Sequence, residues 1–320
     1  MKLGPFFQSI VDAGIKADPR GKKEIERLLN LEKKEFDKLP KDEKPYFDKD
    51  RLNNPYADSR LLHGDPKTEV RSVLLGIDID VAEILLADRL RERGRSIDLV
   101  ISHHPEGRAR ASFYNVMGMQ ADILSEQGIS IAVAEAILEP RIKEVMRRVM
   151  PGNHTQVTDA ARLLDIPFLC AHTPADNHVT TYLQKRFDRE KPVTIKDVVD
   201  LLMSIPEYQD ARRNNSGPAI LIGNERRRAG KIFVDMTGGT GGSKEAFEKL
   251  ANAGVATVVG MHIGEDHYKE AEKHHLNVVI AGHISSDTLG LNLLFDNVDK
   301  KGQVDFVGCA GFRRITKEMR

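Results

Sequence analysis

The chain is poor in sulfur and in aromatic bulk, with two cysteines (Cys170 and Cys309), no tryptophan and 6% aromatic residues among 320. Two thiols are too few for a disulfide framework or a cysteine-rich zinc site, which fits a reducing compartment. An excess of either charge is also missing. Lys plus Arg and Asp plus Glu both number 48, so no overall field draws the protein to nucleic acid or to an acidic membrane surface. No run approaches the roughly 18 to 20 apolar residues that cross a bilayer. Near the N-terminus Phe6, Phe7, Ile10, Val11 and Ile15 stand at helical spacing, without the continuous apolar core of a secretory signal. The expectation is a cytoplasmic protein with neither nucleic acid nor membrane as partner.

At 320 residues the chain exceeds one ordinary core and suits two domains. From Gly21 to Arg51 it is dense in charge of both signs. Ile25, Leu28 and Leu29 form one stripe there before Pro40 and Pro45 interrupt it, which reads as a solvated helical arm. Next come a strand from Ser72 to Ile79, a helix from Val81 to Arg93, a strand from Ile97 to Ser102, a helix from Val116 to Gln127 and a strand from Ile129 to Ala134. These strands are apolar almost throughout, as parallel strands covered on both faces should be. The same order returns as a strand Lys231 to Met236, helix Lys244 to Ala253, strand Ala256 to Met261, helix His267 to His275 and strand Leu276 to Ala281. The reading is α/β, with two similar three-layer α/β domains from an approximate internal duplication and a charged N-terminal arm. The division falls at 1–185, including the arm 21–51, and 186–320, with interleaving left open. Between the halves, Leu138 to Met150 and Thr158 to Leu164 read as helices, Pro167 to Ala171 as a short strand, and Thr194 to Ile205 as a helix opened by a Thr194/Asp197 capping pattern. Ala219 to Gly223 and Lys231 to Asp235 are placed to form a hairpin across NERRRAG.

In open parallel sheets ligands gather beyond the carboxyl ends of the strands. Four polar clusters fall at such ends: His103-His104-Pro105, AHTPAD (Ala171 to Asp176), MHIGEDH (Met261 to His267) and GHISSD (Gly282 to Asp287). Neighbouring residues inside a strand point to opposite faces, but Pro105 ends the strand pattern and lets the rings of His103 and His104 converge. Asp176 also fits a helix start in which Thr173 is the cap and Pro174 comes first. His172 reads either as a partner that orients a carboxylate or as a satisfied strand-end histidine. His283 and Asp287 flank the first turn of a helix that begins near Ser285, where an anion is favoured for structural reasons too. Three imidazoles and two carboxylates in the set His103, His104, Asp176, His283 and Asp287 suit a two-metal centre for zinc, manganese, iron or nickel. Thr237 to Gly242 (TGGTGG) fits no phosphate-loop pattern and reads as a tight turn. His262, Glu265, Asp266 and His267 are candidates for a substrate-facing rim.

With these clusters in place, the chain resembles the NGG-one-interacting-factor-three-like family of dinuclear metal centre, or GTP cyclohydrolase type-two-like, proteins. The resemblance rests on LLHGDP (Leu61 to Pro66) before VRSVLLGIDI, then ISHHP (Ile101 to Pro105), AHTPAD, MTGGTGG and AGHISSD, in the family's order. It implies two α/β domains around a dinuclear metal site, commonly in a ring-shaped homohexamer. It also implies ligand roles for His103, His104, Asp176, His283 and Asp287, with Asp287 as the bridge. The chain departs from the pattern in four places. Asp287 stands where the family often has Glu, the stretch from His104 to His172 is longer, His262, Glu265 and Asp266 fall near a segment that often reads acid then paired histidines, and the charged arm is additional.

The expected function is metal-dependent hydrolysis of a nucleotide or other phosphorylated small molecule, in which two divalent ions lower the pKa of water towards about 7. His172, His178 and His262 are the candidate acid or base groups, with His172 and His262 preferred. The rival is a non-catalytic protein that holds ions for storage, delivery or structure.

Overall fold

The structure, a computed structural model, describes residues 1–300 and 302–317. It comprises two sheets separated by a shared layer of helices. In the first sheet β1 (Leu61–His63), β2 (Ser72–Gly76), β3 (Leu99–Ser102), β4 (Phe168–Cys170) and β9 (Asp305–Cys309) run in the order β1-β4-β3-β2-β9. In the second, β5 (Ala219–Ile222), β6 (Lys231–Asp235), β7 (Val255–Gly260) and β8 (Asn277–Ile280) run in the order β5-β8-β7-β6. The edge strands β1 and β5 are antiparallel to β4 and β8, and the remaining pairs are parallel.

Both faces of each sheet are covered, which is why the strands read as continuous apolar runs. Outside the first sheet, Leu74, Val100 and Phe168 pack on α3 (Val81–Glu92), α4 (Gly107–Ala111) and α7 (Gln156–Leu163) through Ile84, Ala87, Ala109, Val157 and Ala161. On its inner face Val73, Leu75, Leu99 and Ile101 meet α1 (Leu3–Ala17), α8 (Thr173–Glu190) and α13 (His283–Val298). The middle layer also serves the second sheet. Val179 and Leu183 of α8 and Leu289 of α13 pack with Val234, Val259 and Val279, alongside α9 (Ile195–Met203) and α10 (Pro206–Arg213). The far face of the second sheet is covered by α5 (Met119–Glu126), α6 (Ile131–Val149), α11 (Ala246–Asn252) and α12 (Glu265–Lys273). Helix α2 (Lys22–Lys38) buries only Ile25 and leads into two short 3-10 turns, Lys44–Tyr46 and Lys49–Leu52.

Several expectations are corrected. Ile129 to Ala134 is not a strand, because Ser130 stands in the extended conformation of an N-cap and residues from Ile131 onwards are helical. The face formed by Ala134, Leu138 and Val145 is buried, and the helix runs through Pro140. The apolar run and the proline both suggest a break that helix packing overrides. The strand beside β3 is instead β4. No hairpin joins β5 to β6, which occupy opposite edges of their sheet; β5 pairs with β8. The helices expected at Val116 to Gln127 and His267 to His275 lie at Met119–Glu126, after a 3-10 turn over Phe113–Gly118, and at Glu265–Lys273.

The two halves interleave. Helices α5 and α6 precede α8 in the chain yet cover the second sheet, and β9 returns to pair with β2, Val73 opposite Phe306. The middle layer is tight at one point, where a Cβ added to Gly290 of α13 would lie 2.5 Å from the carbonyl oxygen of Ala175 in α8. On an exposed helix surface, Gly→Ala favours the helix by up to about 1 kcal/mol. Here the obstacle is backbone, which cannot swing aside. Gly290→Ala is therefore expected to destabilise the fold by about 1 to 3 kcal/mol, read as a lower urea midpoint; an unchanged or raised midpoint would show that the crossing yields.

Candidate metal centre

The carboxyl ends of β3 and β4 from one sheet and β8 from the other deliver three groups of side chains to the middle layer. Strand β3 stops at Ser102, and the next two amides continue along the neighbouring chain, His103 N to Gly76 O (2.9 Å) and His104 N to Ile77 O (3.0 Å). Beyond the strand the two rings turn the same way, with centroids 5.2 Å apart. Chain segment 171–173 leads from β4 directly into α8, with His172 rather than Thr173 at the cap position. Thr173 is already helical and donates its hydroxyl to Asp58 (2.6 Å), which corrects the expected Thr cap. Similarly α13 begins at His283, not near Ser285, so His283 and Asp287 lie one turn apart on a single helical face.

The imidazoles are held from behind. Nδ1 of His103 donates to Ala171 O (3.1 Å), that of His104 to Asp78 Oδ1 (2.6 Å) and that of His172 to Asp58 Oδ2 (2.8 Å). These partners only accept, so each ring carries its proton on Nδ1 and turns an Nε2 lone pair inward. There it meets further acceptors. His103 Nε2 stands 3.4 Å from Asp176 Oδ1 and 3.5 Å from Asp287 Oδ1. His104 Nε2 and His283 Nε2 each stand 3.5 Å from Asp287 Oδ2, and His172 Nε2 lies 3.7 Å from Asp176 Oδ2.

Acceptors facing acceptors in a buried site require a positive charge between them. His103 Nε2, Asp176 Oδ1 and both oxygens of Asp287 are buried with no hydrogen-bond partner. The spacings suit a divalent cation, since two ligands about 2.1 Å from a tetrahedral ion stand about 3.4 Å apart. Three overlapping groups each bring their candidate ligand atoms within 4.8 Å of one another: His103, His104 and His172; His104, His283 and Asp287; and His103, Asp176 and Asp287. The residues present thus fit a metal ion.

Without a metal, protons substitute for it. Burial alone would push His103 down, but Asp287 and Asp176 outweigh it and hold the imidazolium well above its ordinary range. Burial acts against ionised Asp287 too, yet the surrounding histidines hold its carboxyl far below the usual carboxylate range. His283 is pushed down, first by burial and then by the neighbouring His104 and His262, despite Asp287.

His262 lies at the rim, its ring 4.9 Å from that of His283. It borders a cavity of about 70 Å³ that the candidate ligands His172, Asp176, His283 and Asp287 share with Thr237 and Gly241 of the glycine-rich segment. That segment is a tight turn, with Gly238 and Gly239 at φ of 96° and 88°, and its carbonyls are held by Gln120, Arg141 and His267. Glu265 and Asp266 are exposed, and Asp266 pairs with Lys244 at 3.4 Å. His178 bonds to Pro174 O of its own helix. Three acids escaped the sequence reading: Asp58 and Asp78, which hold His172 and His104, and Asp235, which borders the cavity beside His262. Asp78 and Asp235 lie at or just past the ends of β2 and β6 and were open to the same strand-end rule; Asp58 lies in an irregular stretch that carries no such signal.

No family model and no curated protein matches the chain. Among solved structures it is similar to a NIF3 superfamily protein from Sphaerobacter thermophilus, at 28% identity over 80% of this chain and 92% of that one, with a TM-score of 0.69. It is also similar to reduced HcgD from Methanocaldococcus jannaschii, at 15% identity over 78% and 87% of the two chains, with a TM-score of 0.47. The first likeness supports the resemblance carried by the five sequence motifs.

The Asp58–His172 pair permits a test. Burial raises the Asp58 carboxyl, but the His172 hydrogen bond and charge more than offset this and hold it below its ordinary value. His172 is held above 6.5 by Asp176 and Asp58 against burial. A lowered acid adds stability above its ordinary pKa, and a raised histidine adds stability that is lost as pH rises through the folded-state value. The pair therefore contributes most from above about pH 4 to somewhat above pH 6.5. In metal-free protein, Asp58→Asn should cost about 1.5 to 3 kcal/mol at pH 6 and less at pH 9, read by urea unfolding; a cost that is greater at pH 9 contradicts the ion pair.

Proposed function

We propose that this NIF3-like protein holds two divalent cations and is a metal-dependent hydrolase acting on a nucleotide or other phosphorylated small molecule. The observation that carries the two-metal part is the division of Asp287. Its Oδ1 faces His103, whereas its Oδ2 faces His104 and His283, and neither oxygen has a hydrogen-bond partner. A carboxylate so placed is suited to bridge two ions, one held with His103 and Asp176 and the other with His104 and His283. Zinc, manganese, iron and nickel all accept this mixture of imidazole and carboxylate.

When bound, such a pair supplies Lewis acidity and lowers the pKa of water to about 7. The chain's own residues supply orientation and proton handling. Asp58 fixes the tautomer of His172, leaving Nε2 directed at Asp176 and available to take up a proton. His262, exposed at the rim beside His283, is within reach of a leaving group that enters from the adjoining cavity. A phosphorylated substrate is favoured because a two-metal site suits in-line displacement at phosphorus. The glycine-rich turn bordering the ligands also allows a close approach to backbone. Association into a homo-oligomer, a hexamer by family resemblance, is part of the same reading. Among the described residues no helix is long and apolar enough to cross a membrane.

Metal analysis of loaded protein, followed by a hydrolase screen that includes GTP, tests the proposal against His104→Ala. The wild type should carry close to two ions per chain and turn over at least one phosphorylated substrate, and the variant should lose metal and turnover together. Metal lost in the variant with no turnover by either form would favour ion storage or delivery, a role consistent with the half-exposed His283. A chain that takes up no metal under any loading condition overturns both readings. Light scattering should give the mass of six chains, and a monomer would remove the oligomer from the proposal.

A further inference from the structure

A second cavity, of about 180 Å³, lies between α5, α6 and the outer face of the second sheet. It is continuous in its lining with the space at the ligands, since Asp235, Thr237, Gly241 and His262 border both. Its deep walls are apolar, formed by Leu124, Leu138, Phe233, Phe247 and Leu250, all buried. Its polar lining includes Gln120 of α5, Arg141 of α6, Asp235, His262 and His267. His267 stands edge-on to Phe247, with centroids 5.8 Å apart, and holds Gly242 O through Nε2 at 2.8 Å. The walls come partly from α5 and α6, which belong to the stretch between His104 and His172 that is longer than the family pattern.

We propose that this cavity is the specificity pocket of the metal centre and that it takes an apolar aromatic ring of the substrate, whose phosphoryl end reaches the ligands past Asp235 and His262. The ring is the right occupant for two reasons. Two phenylalanines line the cavity, and aromatic faces and edges favour a planar guest. The buried aliphatic walls offer no partner to a sugar or a second charge, and the Gln120 and Arg141 side chains that also line the cavity donate to the carbonyls of Gly238, Thr240 and Gly241. The proposal rests on the reading of the centre as one that acts on a phosphorylated small molecule, and it adds the chemical class of the remainder of that molecule.

The test compares phenylphosphonate with methylphosphonate by calorimetry on metal-loaded protein, and follows benzyl alcohol by saturation-transfer NMR on metal-free protein. Two variants obstruct the cavity. Gly241→Phe starts from a position where an added Cβ meets nothing within 4 Å and the backbone is not left-handed, and Leu138→Trp fills the apolar end. Metal content and the urea midpoint confirm that each variant is folded. In the wild type, phenylphosphonate should bind on the order of tenfold tighter than methylphosphonate, as burial of a ring predicts, and benzyl alcohol should give a signal. Both variants should abolish the preference and the signal with metal content unchanged. Equal affinities for the two phosphonates in the wild type, or a benzyl alcohol signal that persists in both variants, overturns the pocket. If neither phosphonate binds but the benzyl alcohol signal is present and lost in the variants, the pocket stands and the phosphoryl part of the functional reading fails.

Discussion

Two helices cross where one has no side chain, and the metal-binding geometry depends on that crossing. Helix α8 leaves the end of β4 and α13 leaves the end of β8, so each starts at the carboxyl end of a parallel strand in a different sheet. Gly290 lets α13 approach Ala175 O of α8, and Gly14 of α1 makes a similar approach to Pro174, where an added Cβ would lie 2.7 Å from a ring carbon. Asp176 on the first turn of α8 and Asp287 one turn into α13, 4% and 1% exposed, are brought together by this packing. Leu289 of α13 packs towards the second sheet while Leu291, Leu294 and Phe295 pack towards the first. A shift of the crossing would thus disturb both cores at once. Interiors packed at crystal-like density resist such shifts, which is how ligand atoms from separate sheets can keep ångström-scale spacing.

The same layer is electrostatically unfinished when it consists of protein alone. Removing carboxylates and imidazoles from water is costly unless each finds a partner, and here the inward atoms of His103, Asp176 and Asp287 find only one another. The outward atoms are well satisfied by Ala171 O, Asp78 and Asp58. This asymmetry separates a ligand site from an ordinary buried salt-bridge network, in which hydrogen bonds run inward as well. It also means that proton and metal compete for the same positions, because the acids that raise His103 are the groups that would coordinate the ion. Any ion bound only by the folded chain stabilises this layer by mass action.

That the residues of the candidate centre lie together was largely legible because strand ends are legible. His103 and His104, His172 and Asp176, and His283 and Asp287 each follow an apolar run and were found by that position and by ligand type. The helix boundaries that orient them were not legible to the residue. Thr173 and Pro174 have the composition of a cap and first turn, but the hydroxyl of Thr173 is drawn away by Asp58, a partner 115 residues distant in the chain. Asp58 itself illustrates the limit, since nothing local marks an acid in an irregular segment as the support of a distant histidine. The segment Ile129 to Ala134 shows the other limit. A short apolar run fits a buried strand and a buried helix equally, and what decides it is whether a sheet edge or another helix is there to receive it. At that point of the fold, β4 already occupies the place beside β3.

The repeated order of strands and helices suggests a boundary near the middle of the chain, yet the layers are assembled across it. Strand β9 joins the first sheet from the far end of the chain, while α5 and α6 leave the first half to cover Phe233, Val258 and Val278 of the second. An independent second half would expose that apolar face to water, and at about 25 cal/mol per Å² the exposure is unfavourable enough to bind the halves together. Interleaving also places different walls of one cavity on different segments. The sheet contributes Phe233 and Asp235, the inserted helices contribute Leu124 and Leu138, and the loop after β7 contributes His262. Changes in α5 and α6 can therefore alter what lies beside the metal centre without touching a ligand, because His103, His104, Asp176, His283 and Asp287 all belong to the strand ends and middle layer. In this arrangement the candidate metal ligands and the walls of the neighbouring cavity reside on separable parts of the chain.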